Sequence, residues 1–162
     1  MAARVVGIVL AALFAVYGCG GGESSTETGG STVPGDGDPA DVRVIDGWAT
    51  SLRNGDVDAA ADYFAIPSVA ENGPIIVRIR SVDDARRFNE SLPCGARLIR
   101  AESTGEFTTA TFRLTERPGP GLCGPGTGGV AETSFVIRDG KIAQWRRVGA
   151  GGGGESAPSS AT

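Results

Sequence analysis

The chain has 162 residues, a net charge of −4, 40% hydrophobic and 21% charged side chains, and no histidine. The missing imidazole removes Ser/His/Asp and Cys/His catalysis and most zinc chemistry in one step. The acidity belongs to the ends: Glu23, Glu27, Asp36, Asp38, Asp41 and Glu155 lie outside residues 42–148, which carry 14 basic and 13 acidic residues and so show no footprint for nucleic acid.

Residues 1–19 read MAARVVGIVLAALFAVYGC. Arg4, an apolar stretch from Val5 to Tyr17 and a small Gly18 have the layout of a secretory signal peptide, too short to span as a transmembrane helix. The ending Val16-Tyr17-Gly18-Cys19 resembles the bacterial lipobox. That resemblance implies a signal peptide of residues 1–18, a diacylglycerol on the Cys19 thiol and acylation, palmitate included, of the new N-terminus. The alternative is an ordinary cleaved signal followed by a chance cysteine. Each buried CH₂ contributes about 0.8 kcal/mol, and two chains hold where one binds only marginally. The expected partner is therefore a bacterial membrane reached through Cys19, with the rest of the chain extracytoplasmic.

Residues 19–41 are expected to form a disordered tether: GGGESSTETGGSTVPGDGDPAD has low hydrophobicity and no periodicity. As a Gly-rich coil its root-mean-square span is about 25 Å. Residues 149–162, GAGGGGESAPSSAT, read as a second disordered segment. Between them, residues 42–148 suffice for one small domain with a modest core.

Within that domain Val44, Ile45, Trp48, Ala49 and Leu52 mark an amphipathic helix, ended by Asn54-Gly55 with Gly55 suited to a left-handed cap. Asp56 looks like the N-cap of a second helix with Val57, Ala60, Ala61 and Phe64 on one face, closed at or before Pro67. Ile75 to Arg80 alternates as a half-buried strand, Arg78 and Arg80 on its polar side, where pairing with carboxylates across the sheet is expected over anion binding. Ser81-x-x-Asp84 opens a third helix with Val82, Ala85, Phe88 and Leu92 inward. Strands are expected at Arg97–Thr104, Glu106–Glu116, Val130–Arg138 and Lys141–Val148, the last two joined by a turn at Asp139-Gly140. Helices followed by a strand meander make the class α+β, with helices on one sheet face.

The run VIDGWATSLRNGDVDAAADYFA, with FVIRDGKIAQWRRV far downstream, resembles the nuclear-transport-factor-2-like (NTF2-like) superfamily, including its SnoaL-like and ketosteroid-isomerase-like members. The resemblance implies a cone: three N-terminal helices packed on a curved, mostly antiparallel sheet, with a pocket at the open end.

With Cys19 assigned to lipid, Cys94 and Cys123 remain, and an even pair in an exported domain is most simply a disulfide. It would staple the Gly/Pro-rich loop RPGPGLCGPGTGG to the end of the third helix. A metal site needs more ligands than two thiols, and no imidazole exists to activate a catalytic thiol.

The isomerase-like members place a Tyr on the opening helix, an Asp base after the second helix and a protonated Asp on a late strand. Those positions fall here at Trp48, near Asn72 and near Thr133, none of which is an acid or base. Glu71, Asp62, Tyr63 and Glu132 are neighbours able to substitute, each more readily read as a solvated face. The candidate pocket is therefore Trp48, Tyr63, Glu71, Asn72 and Thr133, with no catalytic residue, metal or cofactor assigned. Trp48 and Trp145 fit core packing as well as ligand contact. The function expected is non-catalytic binding of a small apolar ligand or a protein partner. The alternatives are an isomerase- or dehydratase-type enzyme using a pocket carboxylate, and an envelope-assembly module or homodimer formed through the open sheet face.

Overall fold

A computed structural model describes residues 33–149 of the chain. The signal segment, Cys19, most of the expected tether and nearly all of the expected tail lie outside those residues. No helix among the described residues is long and apolar enough to cross a membrane.

The first helix, α1, spans Pro39–Arg53. Asp38 caps it: its carboxylate accepts from the Ala40 amide at 2.7 Å, and Pro39 occupies the first turn, where an absent N–H is harmless. The last three residues of the expected tether, 39–41, are thus helical. The preceding residues are tied down as well. Ala101 donates its amide to the Pro34 carbonyl and accepts from the Gly37 amide, so residues 34–37 run along a strand edge. Composition alone hid this, because the fixing groups belong to residues some sixty positions away. Ile45, Trp48, Ala49 and Leu52 are the buried face of α1, as their spacing predicts. Gly55 follows with φ +78°, the left-handed cap expected of it.

Helix α2 is only Val57–Ala61, with Asp56 accepting from the Ala59 amide at 2.9 Å. Phe64 does not extend it. Instead Phe64 opens strand β1, Phe64–Asn72, which pairs antiparallel with β2, Ile75–Ile79. The four-residue step from Ala60 to Phe64 imitates helical spacing, and a register shift between Phe64 and Val69 breaks the alternation that would have marked a strand. The β1–β2 hairpin also separates the helices in sequence, so the third is not strictly N-terminal.

Helix α3 is Val82–Ser91. Ser81 accepts from the Asp84 amide at 3.1 Å, while the Asp84 carboxylate accepts from the Arg80 amide and the Ser81 hydroxyl. The Arg80 amide first, then the Ser81 hydroxyl and the Arg87 guanidinium, hold the Asp84 carboxyl below its ordinary pKa. Val82, expected inward, is exposed; the inward positions are Ala85, Phe88 and Asn89. Arg117 closes the other end of α3, donating to the carbonyls of Leu92 at 2.9 Å and of Asn89 and Glu90 at 3.2 Å. Its guanidinium is buried, and that burial lowers its pKa.

The remaining strands are β3, Gly95–Thr104; β4, Phe107–Thr115; β5, Val130–Arg138; and β6, Lys141–Val148. They form one six-stranded sheet in the order β2-β1-β6-β5-β4-β3, antiparallel except for the β1–β6 pair. Further register shifts at Leu98/Arg100 and Val136/Ile137 add local bend and twist, and the sheet curves over the helices. The β5–β6 turn carries Asp139 and Gly140 at φ 53° and 70°, as that dipeptide predicts. The core lies between α1, α3 and the concave face, where Trp48, Phe112, Phe135, Phe88 and Trp145 meet edge to face at centroid distances of 5.1–6.4 Å.

Candidate functional site

Strand alternation decides which side chains reach the concave face. Along β5 these are Ala131, Thr133 and Phe135, and along β6 Trp145, with Arg147 two residues further on the same side. Leu114 and Phe112 come from β4, Ala96 from β3, Trp48 and Leu52 from α1, and Leu92 and Pro93 from the end of α3. All of these but Phe135 line a cavity of about 220 Å³. The lining is apolar apart from the Thr133 hydroxyl and the Arg147 guanidinium. Arg147 is exposed, so it sits at the mouth.

The wall nearest the loop is the disulfide. Cys94 and Cys123 are joined, with Cα atoms 4.5 Å apart, and Cys94 faces the cavity beside Gly126. A Cβ on Gly126 would rest 3.4 and 3.5 Å from the two sulfurs, ordinary van der Waals contact. The loop is held from the other side by Glu116. Its carboxylate accepts from the Thr127 hydroxyl at 2.7 Å and from the amides of Gly124 and Cys123 at 3.0 and 3.2 Å. These bonds, Thr127 first, hold the Glu116 carboxyl below the usual glutamate range.

The two cavity tryptophans differ in one respect. The Trp48 indole N–H donates to Asn89 Oδ1 at 2.9 Å, and Asn89 in turn donates to the Ala85 carbonyl. The Trp145 N–H is buried and has no acceptor among the described residues. Both rings line the cavity, and they are the only two tryptophans in the chain.

Of the residues expected in a pocket, the structure brings Trp48 and Thr133 to this cavity. Tyr63, Glu71 and Asn72 lie elsewhere. The Tyr63 hydroxyl lies over α1 so closely that a Cβ on Gly47 would be 2.4 Å from it. Glu71 alternates with the buried Ala70 and therefore faces the outer side of the sheet. There it accepts from Arg146 at 2.8 Å and from Gln144 at 3.3 Å. Asn72 ends β1 at the hairpin tip, opposite Ile75. Among the described residues no carboxylate, phenol or free thiol lines the cavity, and no cluster of His, Cys, Asp or Glu is placed to hold a metal. The strand arginines Arg78 and Arg80 form no ion pair among the described residues, so the pairing expected for them is not what the sheet provides.

Sequence reasoning missed Arg147 and the disulfide as parts of the site. The signal for Arg147 was present: it stands two residues after Trp145 in one strand, so the two share a face. The disulfide's position in the wall had no comparable local signal, because it depends on where a distant loop folds back.

No protein-family model matches the chain, and no curated protein matches it. Solved structures do. A candidate polyketide cyclase from Sinorhizobium meliloti is similar with a TM-score of 0.53 at 19% identity, over 65% of this chain and 94% of that one. An NTF2-like protein of unknown function from Cytophaga hutchinsonii gives 0.51 at 8% identity, over 65% and 85% of the two chains. A de novo designed protein with a curved β-sheet gives 0.50 at 14% identity, over 67% and 83%. At such identities the likeness is one of fold and carries no activity with it. The likeness is to the NTF2-like fold, present here as a curved six-stranded sheet over three helices.

Proposed function

We propose that this protein binds a small apolar molecule in the concave-face cavity and performs no acid–base chemistry on it. The observation that carries the reading is the lining itself. Apolar surface from α1, α3 and four strands surrounds about 220 Å³, and the single ionisable group there is a guanidinium at the mouth. Arginine stays protonated in proteins and so has no proton to exchange near neutral pH. A general base has to sit within hydrogen-bond reach of the proton it removes, and Glu71 is engaged with Arg146 on the other sheet face.

The two tryptophans make binding directly measurable. The neutral 3-cyclohexylpropan-1-ol does not absorb at tryptophan wavelengths. Titrating it into the protein is expected to shift emission along a saturable curve with one site per chain. Ala131→Phe, which fills the cavity, is expected to abolish the shift while leaving far-ultraviolet circular dichroism unchanged. A native chain that shows no saturable response overturns the reading.

We place this binding domain outside a bacterial cytoplasmic membrane, held there by acylated Cys19. The support is the signal-and-lipobox sequence, together with a disulfide of the kind that persists in oxidising compartments. Cys19→Ser is expected to move the protein from the detergent phase to the aqueous phase on fractionation. Retention in the detergent phase counts against the anchor and leaves the cavity reading intact.

A further inference from the structure

We infer that the cavity's ligand is a small carboxylate: a compact apolar body in the hole, with its negative head held at the mouth by Arg147. This rests on the binding role proposed above and goes on to name the ligand's chemistry.

Size sets the body. An engineered cavity of about 150 Å³ stays dry and binds benzene. The space here is about half as large again, suited to a single ring with a short chain or to two fused rings. Such a body would meet Trp48, Phe112, Leu52 and Trp145, all of them at most 4% exposed.

The polar features set the head, and they are grouped rather than scattered. Thr133 and Arg147 are cross-strand partners in the β5–β6 ladder and face the same side. Thr133 supplies a hydroxyl and Arg147 a fork of donors that matches a carboxylate in shape and charge. Arg147 forms no ion pair among the described residues. Glu116, Glu132 and Glu71 are committed or turned away. Glu116 is spent on Thr127, Gly124 and Cys123. Glu132 alternates with Ala131 and Thr133 and so faces the outer side, as does Glu71 with Arg146. What remains is an uncompensated cation beside a low-dielectric hole, an arrangement that concentrates field lines on an incoming anion. A neutral apolar ligand would leave that charge unanswered, and an amine would be repelled by it.

The test uses three molecules of one skeleton, 3-cyclohexylpropanoate, 3-cyclohexylpropan-1-ol and 3-cyclohexylpropan-1-amine, each titrated against tryptophan emission at low and high salt. The carboxylate is expected to bind tightest, about five- to tenfold over the alcohol, with the margin shrinking in salt because the head is partly solvated. Arg147→Gln is expected to erase the carboxylate's margin over the alcohol. Equal affinity for alcohol and carboxylate on the native chain, or preference for the amine, overturns the carboxylate assignment but leaves the apolar site standing. A margin that survives Arg147→Gln likewise overturns it. If none of the three binds, the binding role falls and takes this inference with it.

Discussion

The indole N–H of Trp48 ends on Oδ1 of Asn89, 2.9 Å away, where both residues are cut off from water. Asn89 is fully buried on α3, and its amide nitrogen reaches back to the Ala85 carbonyl four residues earlier. A buried polar group left without its partner costs about 1–3 kcal/mol, more than the net gain from a typical hydrogen bond. Trp48→Phe strands the Asn89 oxygen in this way, whereas Trp145→Phe removes an N–H that already lacks an acceptor. In urea unfolding, Trp48→Phe is expected to destabilise the protein by about 1–3 kcal/mol more than Trp145→Phe. Equal losses would mean that the Trp48–Asn89 bond contributes nothing beyond ring packing.

Arg117 serves the same, C-terminal end of that helix. It donates to the Glu90 and Leu92 carbonyls in the last turn and shares the Asn89 carbonyl with the Leu92 amide. A lysine supplies one compact charge where the guanidinium supplies a planar fork. Arg117→Lys is expected to cost about 1–3 kcal/mol. The loss should appear locally in hydrogen exchange as faster opening of the last turn of α3. Unchanged protection there would count against the capping role.

The Cys94–Cys123 bond closes a span of 29 residues. In the chain-entropy account a loop of that length is worth about 3–4 kcal/mol. The paired Cys94→Ser and Cys123→Ser variant is expected to lose roughly that amount in denaturant titration. It should also lose the emission shift produced by 3-cyclohexylpropan-1-ol under conditions where far-ultraviolet circular dichroism still reports a folded sheet. Full retention of the shift would separate the loop from the site.

Glu116 gives the loop an acid-sensitive fastening. Its pKa is lowered in the folded chain by the Thr127 hydroxyl and the amides of Cys123 and Gly124. A carboxyl depressed on folding contributes stability that is fully present above its unfolded value and is lost as pH falls through its folded value. Loop order is therefore expected to hold through neutral pH and to decline only below the usual glutamate range. Glu116→Gln should remove that acid-induced step in the amide resonances of Cys123 and Gly124. A loop that loosens between pH 6 and 8 would point to another group.

What the residues disclosed in advance was whatever depends on near neighbours. The Asp139-Gly140 turn, the Gly55 cap and the buried stripe of α1 each rest on a few adjacent positions, and each is found where the pattern puts it. The strand at Phe64–Asn72 was hidden because a register shift breaks its alternation and Ala60–Phe64 mimics a helical step. The site divides on the same line. Trp48 and Thr133 face the cavity because their elements are regular, whereas Glu71 was placed by counting along a stretch whose regularity fails. Residues 34–37 read as tether because the Ala101 groups that hold them are remote in sequence.

Because Cys94 is itself part of the cavity wall, occupancy of the hole and oxidation of the thiols are linked quantities. Whatever factor the closed bond adds to ligand affinity, a bound ligand adds the same factor to the bond's resistance against reductant. A chain kept where thiols stay reduced would have the sheet but lack one side of its binding chamber. On the proposed binding role, ligand uptake would then depend on oxidation of the Cys94–Cys123 pair.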